Sequence, residues 1–402
     1  MVDARFDADA YLVNTCTVTA EADRKARQWL RGVRRRHPCS LMVASGCAVE
    51  RAPEQLEPLA DLLIGNRQKN EVVDLVVSKL DARHSHASGI RLRSTSDALP
   101  VGRTRSLIRV QQGCASHCAF CVVPFVRGEE LSLPVDGILS AIQERIGMGC
   151  KEIVLTGTKI GAYRDGETTL PGLVEKVLSL PGLLRLRLSS LQPQELSDDL
   201  LSLWSDRRLC RHFHLSLQSG SETVLRRMGR LYSLSGYLQA VKRIRWMIPE
   251  AAITTDVIVG FPSESDEEFR STIQFIEKVV FARIHVFPYS RRPGTRAAEM
   301  PGQVPSPIVR QRAAILEGVA ANSRHAYARS WLGRRVNVLW EEETVPGSGI
   351  FAGTTDNYLR TMCYSSIPLQ NTLETVALAR LESQGVWVRR GVEDTGRREA
   401  EF

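Results

Sequence analysis

The 402-residue sequence contains no uninterrupted apolar run of transmembrane length, so a membrane-spanning helix is not expected. Its opening, Met1-Val2-Asp3-Ala4-Arg5, lacks an apolar signal core, which argues against export and for a reducing cytoplasm. Low-complexity tracts are missing as well. A disulfide scaffold is excluded on similar grounds, because nine cysteines are an odd number in a reducing setting. Cysteines with ligand-like spacing are then better read as metal-binding or catalytic. What is present is an ordinary globular balance, 43% hydrophobic and 24% charged, in a chain long enough for two or three cores. The net charge of +8 favours a polyanionic partner, nucleic acid first.

Three regions separate by pattern. Up to about residue 80, short apolar runs at 10–13, 41–44 and 61–64 alternate with helical stretches at 18–36 and 69–80. That alternation predicts an open, mainly parallel α/β sheet with crossover helices. Residues 82–105 are polar and aperiodic and read as a linker. From 106 to about 330 the strand–helix unit repeats six times, with strands at 107–110, 152–156, 185–191, 212–218, 252–260 and 282–289. Helical patterns fall between them, for example at 136–147, 195–204, 236–247 and 266–280. Such a repeat suits a partial or full parallel barrel, whose chemistry sits at the carboxyl ends of its strands. From about 333 short strands at 336–340, 349–352, 358–362 and 375–379 predict a small β-barrel or sandwich. The charged tail, 391–402, is expected to fray.

The first strand of the middle region runs into Gly113-Cys114-Ala115-Ser116-His117-Cys118-Ala119-Phe120-Cys121. Three thiolates within eight residues can curl around one corner of a cubane iron–sulfur cluster, which needs four ligands. A loop supplying three leaves one iron open. Gly113 permits a tight approach, and Phe120 is placed to shield the cluster. A zinc knuckle is the competing reading. It would require a fourth ligand nearby, and His117, inside the loop, would crowd the metal.

Cys-x3-Cys-x2-Cys after the first strand of a βα repeat resembles the radical S-adenosylmethionine (SAM) superfamily. The resemblance implies that SAM chelates the open iron and is cleaved by one electron to a 5′-deoxyadenosyl radical, while the protein positions the reactants. Further segments are similar to the methylthiotransferases within it: Arg127-Gly128, Ile153-Val154-Leu155-Thr156-Gly157, Leu188-Ser189-Ser190 and His214-Leu215-Ser216-Leu217-Gln218-Ser219-Gly220. Thr255-Asp256-Val257-Ile258-Val259-Gly260-Phe261-Pro262 and His285-Val286-Phe287-Pro288-Tyr289-Ser290 complete the set. Gly353-Thr354-Thr355-Asp356-Asn357-Tyr358 looks like the signature of the family's RNA-binding β domain, TRAM. The implied domains are a methylthiotransferase N-terminal domain over 1–90, a radical SAM core over 100–330 and a TRAM-like domain over 331–392.

Asn14-Thr15-Cys16-Thr17-Val18-Thr19 followed by Ala22-Asp23-Arg24-Lys25 is similar to the subgroup acting on N6-threonylcarbamoyladenosine at tRNA position 37. The isopentenyladenosine subgroup usually carries Arg where Thr19 stands, and the ribosomal-protein subgroup fits less well. The resemblance implies a [4Fe–4S] cluster on Cys114, Cys118 and Cys121. Strand-end position proposes SAM contacts at Gly157, Thr158, Ser189, Ser190, Gln218, Val259 and Gly260, with ordinary strand-end packing as the alternative for each. Cys16 and Cys47 match two of three N-terminal ligands of a second [4Fe–4S] cluster. The first ligand normally lies in a Gly-Cys segment ahead of another strand, and this chain starts after it, so a truncated start is expected. Cys39 lies at the wrong end of its strand to substitute. Cys150, Cys210 and Cys363 have no ligand spacing and read as structural.

Arg24, Lys25, Arg27, Arg31, Arg34, Arg35 and Arg36 crowd one predicted helix, and Arg310, Arg312, Arg324, Arg329, Arg334 and Arg335 crowd a later stretch. They suit salt-sensitive contacts to a tRNA anticodon stem–loop, a solvated basic face being the alternative. The target adenine must be unstacked to reach a barrel mouth. The expectation is therefore a monomeric, cytoplasmic tRNA methylthiotransferase fed by an electron donor of unknown identity. The rivals are a methylthiotransferase acting on isopentenyladenosine or a ribosomal protein, and a non-catalytic RNA-binding relative.

Overall fold

The computed structural model describes residues 7–84, 104–383 and 385–390. Residues 85–103 of the expected linker and the tail at 391–402 lie outside the described residues. The chain forms two compact units. The first combines the N-terminal region with Gly113–Glu129 and Ser290–Met300. The second combines the chain up to Gln112 from residue 104, Glu130–Tyr289, and Pro301 onward.

In the first unit, strands β1 (Ala10–Thr15), β2 (Leu41–Gly46) and β3 (Leu62–Ile64) form a parallel sheet in sequence order. Helix α1 (Ala20–Arg36) crosses from β1 to β2, α2 (Cys47–Arg51) follows β2, and α3 (Val72–His84) follows β3. Thr19 starts α1 by accepting the Ala22 N–H on its hydroxyl at 3.1 Å, which satisfies one of the helix's orphan donors. Leu30 and Val33 turn the apolar face of α1 onto Tyr11, Met42 and Ala44. Its basic residues fall on the opposite face, as amphipathic spacing requires.

Before residue 301 the strands of the second unit are β4 (Arg105–Arg109), β5 (Gln111–Gln112), β6 (Leu131–Ser132), β7 (Glu152–Thr156), β8 (Arg164–Asp165), β9 (Thr168–Thr169), β10 (Arg185–Leu188), β11 (Ser190–Leu191), β12 (His212–Leu215), β13 (Ala252–Val259) and β14 (Arg283–Pro288). The pairs β5–β6 and β8–β9 are short antiparallel ribbons. The other strands are all parallel: β4, β7 and β10 pair in turn, as do β11, β12, β13 and β14. Because β10 and β11 are two halves of one strand interrupted at Ser189, the result is the expected (βα)6 partial barrel.

Alternation sorts the two faces of this sheet. Ile153, Leu155, Leu186, Leu188, Phe213, Leu215, Ile253 and Val257 pack outward with the helices in one large apolar core. Most of the intervening residues, which face the lumen, are polar: Glu152, Arg185, Arg187, His212, His214, Thr254, Asp256 and His285. At the amino-terminal end of the strands Glu152 is fully buried, with Arg187 Nε at 2.8 Å and Arg185 Nη2 at 3.0 Å.

Strands β15 (Arg335–Glu343), β16 (Ile350–Thr355), β17 (Arg360–Tyr364), β18 (Thr372–Glu382) and β19 (Gly385–Arg389) close a small barrel in the order β15-β16-β17-β19-β18. Sequence pattern located four of these strands and missed β19, since Gly385-Val386-Trp387-Val388-Arg389 is only five residues long and carries an apolar run without alternation. The segment resembling the TRAM signature seals the lumen floor. Arg185 donates to the Thr354 carbonyl at 3.1 Å, and Arg187 donates to the Thr355 and Asp356 carbonyls, both at 3.1 Å. Tyr358, at φ 68°, stacks on His212 with ring centroids 4.0 Å apart.

Candidate functional site

The first unit holds both cysteine sets. Its loop Gly113–Glu129 begins at Gly113, whose φ is +74° and where a Cβ would lie 1.7 Å from the Glu129 carbonyl oxygen. Only glycine fits a backbone that close and that strained. The Cys114 N–H donates to the Gly128 carbonyl at 3.2 Å, closing the loop on itself. The Ser116 N–H donates to Cys114 Sγ at 3.3 Å, and the Cys121 N–H donates to the Cys118 carbonyl at 3.1 Å. All three thiols are partly accessible.

Those three sulfurs do not converge as ligands of a single ion would. Among the described residues, the one set of three His, Cys, Asp or Glu ligand atoms within 4.8 Å of one another is His214, Asp256 and His285. Thiols that do not meet at one point, with the Ser116 N–H aimed at the Cys114 sulfur, fit a polynuclear cluster better than a zinc ion. His117 is exposed, and its carbonyl accepts Arg296 Nη2 at 2.8 Å.

Cys16 and Cys47 follow β1 and β2, at the carboxyl edge of the N-terminal sheet. Thr15 pairs with Gly46 in register. The Thr15 hydroxyl donates to the Ser45 carbonyl at 2.8 Å and accepts the Ala48 N–H at 3.2 Å. The backbones flanking the two cysteines are thus bonded to each other. Cys39 precedes β2 while Cys47 follows it, so these two lie at opposite strand ends, as expected. Cys150, Cys210 and Cys363 are buried.

Three side chains tie this unit together. Arg127 Nε donates to Cys47 Sγ at 3.3 Å. Asn66 Nδ2 donates to the Val126 carbonyl at 2.8 Å and to Cys47 Sγ at 3.5 Å. Arg292 is nearly fully buried, donates to Thr17 Oγ1 at 2.7 Å and pairs with Asp23, which also holds Arg51 at 3.3 Å. In the same segment the Ala297 N–H donates to the Ala119 carbonyl at 2.8 Å. Ser290–Met300 therefore holds both the residue after Cys16 and the interior of the Cys114–Cys121 loop. Arg127 carried a motif signal without a partner; Asn66 and Arg292 carried none.

In the second unit the strand-end residues proposed from sequence differ in what they offer. Gly157 lies against the Gln111 carbonyl, where a Cβ would stand at 2.8 Å. Ser189 interrupts a strand, and its buried hydroxyl has no hydrogen-bond partner among the described residues. Gln218 adopts a left-handed φ of 67°, held by its N–H to the Asp256 carbonyl at 2.8 Å and its carbonyl to the Ile258 N–H at 2.9 Å. Strain in a non-glycine residue is characteristic of a functional position. Gly260, at φ +75°, gives its N–H to Glu264 at 2.7 Å, with Val309 where a Cβ would go. Val259 turns its side chain into the apolar core and its carbonyl accepts the Tyr289 N–H at 2.8 Å, so nothing of that residue but backbone faces the strand end. Ser190 pairs with His214 across β11 and β12, and Thr158 follows Gly157 half-buried.

One arginine assigned to RNA from sequence belongs to the fold. Arg312 is buried, with Glu264 at 2.8 Å and Asp266 at 2.7 Å. Charge counting along the chain could not distinguish it from its exposed neighbours. On α1, Arg24 pairs with Glu21 and Arg34 with Asp61, while Arg31 and Arg35 are exposed. No helix among the described residues is long and apolar enough to cross a membrane.

Comparison with known proteins agrees with this geometry. Residues 108–276 match the radical SAM superfamily, and residues 1–65 match Uncharacterized protein family UPF0004. The chain is 34% identical to the threonylcarbamoyladenosine tRNA methylthiotransferase of Chlamydia pneumoniae, over 96% of this chain and 90% of that one. The enzyme of that name from Thermotoga maritima is 33% identical, over 88% and 82%. A tRNA-2-methylthio-N(6)-dimethylallyladenosine synthase from Syntrophotalea carbinolica is 31% identical, over 89% and 85%. Among solved structures, the radical SAM methyltransferase TsrM of Kitasatospora setae shares the fold, with a TM-score of 0.53 at 14% identity, covering 71% of this chain and 63% of that one. A three-cysteine cluster loop, a parallel partial barrel and relatives matched over nearly their full length place the chain in the radical SAM tRNA methylthiotransferase family, as a transferase using SAM and a [4Fe–4S] cluster.

Proposed function

We propose that this enzyme methylthiolates C2 of N6-threonylcarbamoyladenosine at position 37 of tRNA. The observation that carries the reading is the gathering of Cys16 and Cys47 with Cys114, Cys118 and Cys121 in one compact unit. Adding a methylated sulfur to an unactivated ring carbon calls for a radical generator and a sulfur-handling centre held together, and this unit has three cysteines for the first and two of the three expected for the second.

Cys114, Cys118 and Cys121 hold the SAM-binding cluster, which supplies the one-electron chemistry that opens the reaction. Gly113 lets their loop close, and the Ser116 N–H supports the Cys114 sulfur. Cys16 and Cys47 are assigned to the second [4Fe–4S] cluster, with Arg127 and Asn66 supporting the Cys47 sulfur. Gly157, Thr158, Ser189, Ser190, Gln218 and Gly260 are assigned to SAM, Ser189 and Gln218 foremost: one has an unpartnered hydroxyl and the other a strained backbone. For Val259 the assignment is to its backbone. The closed five-stranded barrel is assigned as a TRAM domain and, with the exposed arginines of α1, binds the anticodon stem–loop through phosphates. The family's reaction on tRNA accords with the cytoplasm.

Names of the relatives favour the threonylcarbamoyl nucleoside, which six of the matched enzymes from different bacteria act on. A second reading, isopentenyladenosine, is favoured by the dimethylallyladenosine synthase at 31% identity. The test is nucleoside mass analysis of tRNA from cells with and without the gene. Loss of 2-methylthio-N6-threonylcarbamoyladenosine alone supports the proposal, loss of the isopentenyl product alone supports the second reading, and an unchanged pool of both removes tRNA as substrate.

A further inference from the structure

Midway up the lumen of the partial barrel, β12, β13 and β14 present a chain of polar side chains. His212 Nε2 lies 2.9 Å from Thr254 Oγ1, which lies 3.0 Å from His214 Nδ1. His214 Nε2 lies 3.1 Å from Asp256 Oδ2. A carboxylate only accepts, so His214 donates to Asp256 through its Nε2–H.

The far end of the chain is left with spare capacity. Asp256 Oδ2 is taken by His214, while Oδ1 accepts no hydrogen bond among the described residues. His285 pairs in register with Asp256, and its ring makes no hydrogen bond among the described residues. Asp256 is partly open to solvent, and the His285 imidazole is held neutral by burial first and by Arg283 second. A neutral imidazole both donates and accepts. The lumen wall therefore shows a fixed acceptor beside a donor, the complement of a group with an N–H next to a C=O.

We infer that Asp256 and His285 read the ureido group on N6 of the target adenine, Asp256 accepting its N–H and His285 donating to its carbonyl, with His214 positioning Asp256. The inference rests on the threonylcarbamoyl reading and deepens it. A hydrocarbon at N6 would strip water from both side chains and return no hydrogen bond, so the same pair rejects a prenyl group. Sites built to pair with a polar substituent discriminate strongly against analogues lacking it.

The test uses anaerobically reconstituted full-length enzyme and anticodon stem–loops carrying threonylcarbamoyladenosine, isopentenyladenosine or adenosine. Both RNA binding and methylthio product are measured. Wild type should prefer the threonylcarbamoyl RNA. His285→Phe and Asp256→Asn should each lower that preference, as a ratio, by roughly a hundredfold, and His285→Gln should restore part of it. Because the readout is a ratio within one protein, partial misfolding cancels. A wild type that methylthiolates the threonylcarbamoyl RNA, with the preference intact in both variants, overturns the inference and keeps the activity. A wild type that binds this RNA preferentially through His285 but never methylthiolates it keeps the inference and overturns the activity. Stoichiometric zinc or manganese lost on His285→Ala would also overturn the inference, by showing an ion site.

Discussion

Arg127 Nε donates to Cys47 Sγ across 3.3 Å, joining the residue six places after Cys121 to a cysteine in the N-terminal sheet. One side chain thus connects the two cysteine sets, and the sets should be separable by mutation. Cys114→Ala should abolish formation of 5′-deoxyadenosine from SAM and remove one cluster, about four iron atoms per chain. Cys47→Ala should leave SAM cleavage in place and abolish methylthio product. Anaerobic iron and sulfide analysis with product chromatography checks both. If Cys47→Ala also ended SAM cleavage, the division of labour would be wrong.

Gly113 makes the cluster loop possible. A methyl group there would meet the Glu129 carbonyl at 1.7 Å, and φ is already +74°. Backbone does not move aside cheaply, so Gly113→Ala should open the loop and cost more than the roughly 1 kcal/mol of ordinary glycine replacement. Iron content after reconstitution should fall at least severalfold. Gly137, helical, without a positive φ and with open space around its Cβ position, is the control: Gly137→Ala should retain iron.

Glu152 is the charge on which the barrel floor turns. Burial pushes its carboxyl up, but the guanidiniums of Arg187 and Arg185 outweigh burial and hold it at about 2, against an ordinary 4.5. A folded value below the unfolded one stabilises above the unfolded value and is lost as pH falls toward the folded one. The window is therefore pH 4.5 down to about 2, and the stabilisation at neutral pH is on the order of 3 kcal/mol. Glu152→Gln should cost a similar amount at pH 7, leaving two buried arginines without their anion, and should flatten acid unfolding across that window. Denaturant melts at pH 7 and at about pH 2, the foot of the window, measure both. Equal stability loss at those two pH values would exclude the carboxylate as the cause.

What the sequence made legible follows from periodicity and spacing. The six strands of the barrel were readable because strands such as Glu152–Thr156 and Ala252–Val259 carry apolar or alternating runs between helical patterns. The cluster loop was readable because its three cysteines lie within eight residues. Cys16 and Cys47 were readable from the family resemblance and as strand ends; the Thr15–Ala48 bond beside them is a tertiary fact. Pairings between distant segments left no local trace. Arg292 reaches Asp23 across 269 residues, and Arg312 reaches Glu264 across 48. A linear reading sees only a positive charge in each.

That ambiguity yields the last prediction, because a buried and an exposed arginine must fail differently. Arg31 and Arg35 project from the solvent face of α1. If they meet tRNA phosphates, Arg31→Ala and Arg35→Ala should each weaken binding to all tRNAs alike and reduce the slope of log affinity against log salt by about 0.9. Thermal stability should change little, as surface substitutions stay within about 0.5 kcal/mol. Arg312→Ala should do the reverse. It strands Glu264, whose carboxyl burial already pushes up and whose oxygen also accepts the Gly260 N–H, and should cost about 3 to 5 kcal/mol. Its salt slope for RNA should match wild type wherever the protein stays folded. Filter binding from low to moderate salt, paired with thermal melts, separates the two classes. A reduced slope for Arg312→Ala with an unchanged melting temperature would return that residue to the RNA-binding face and contradict its burial.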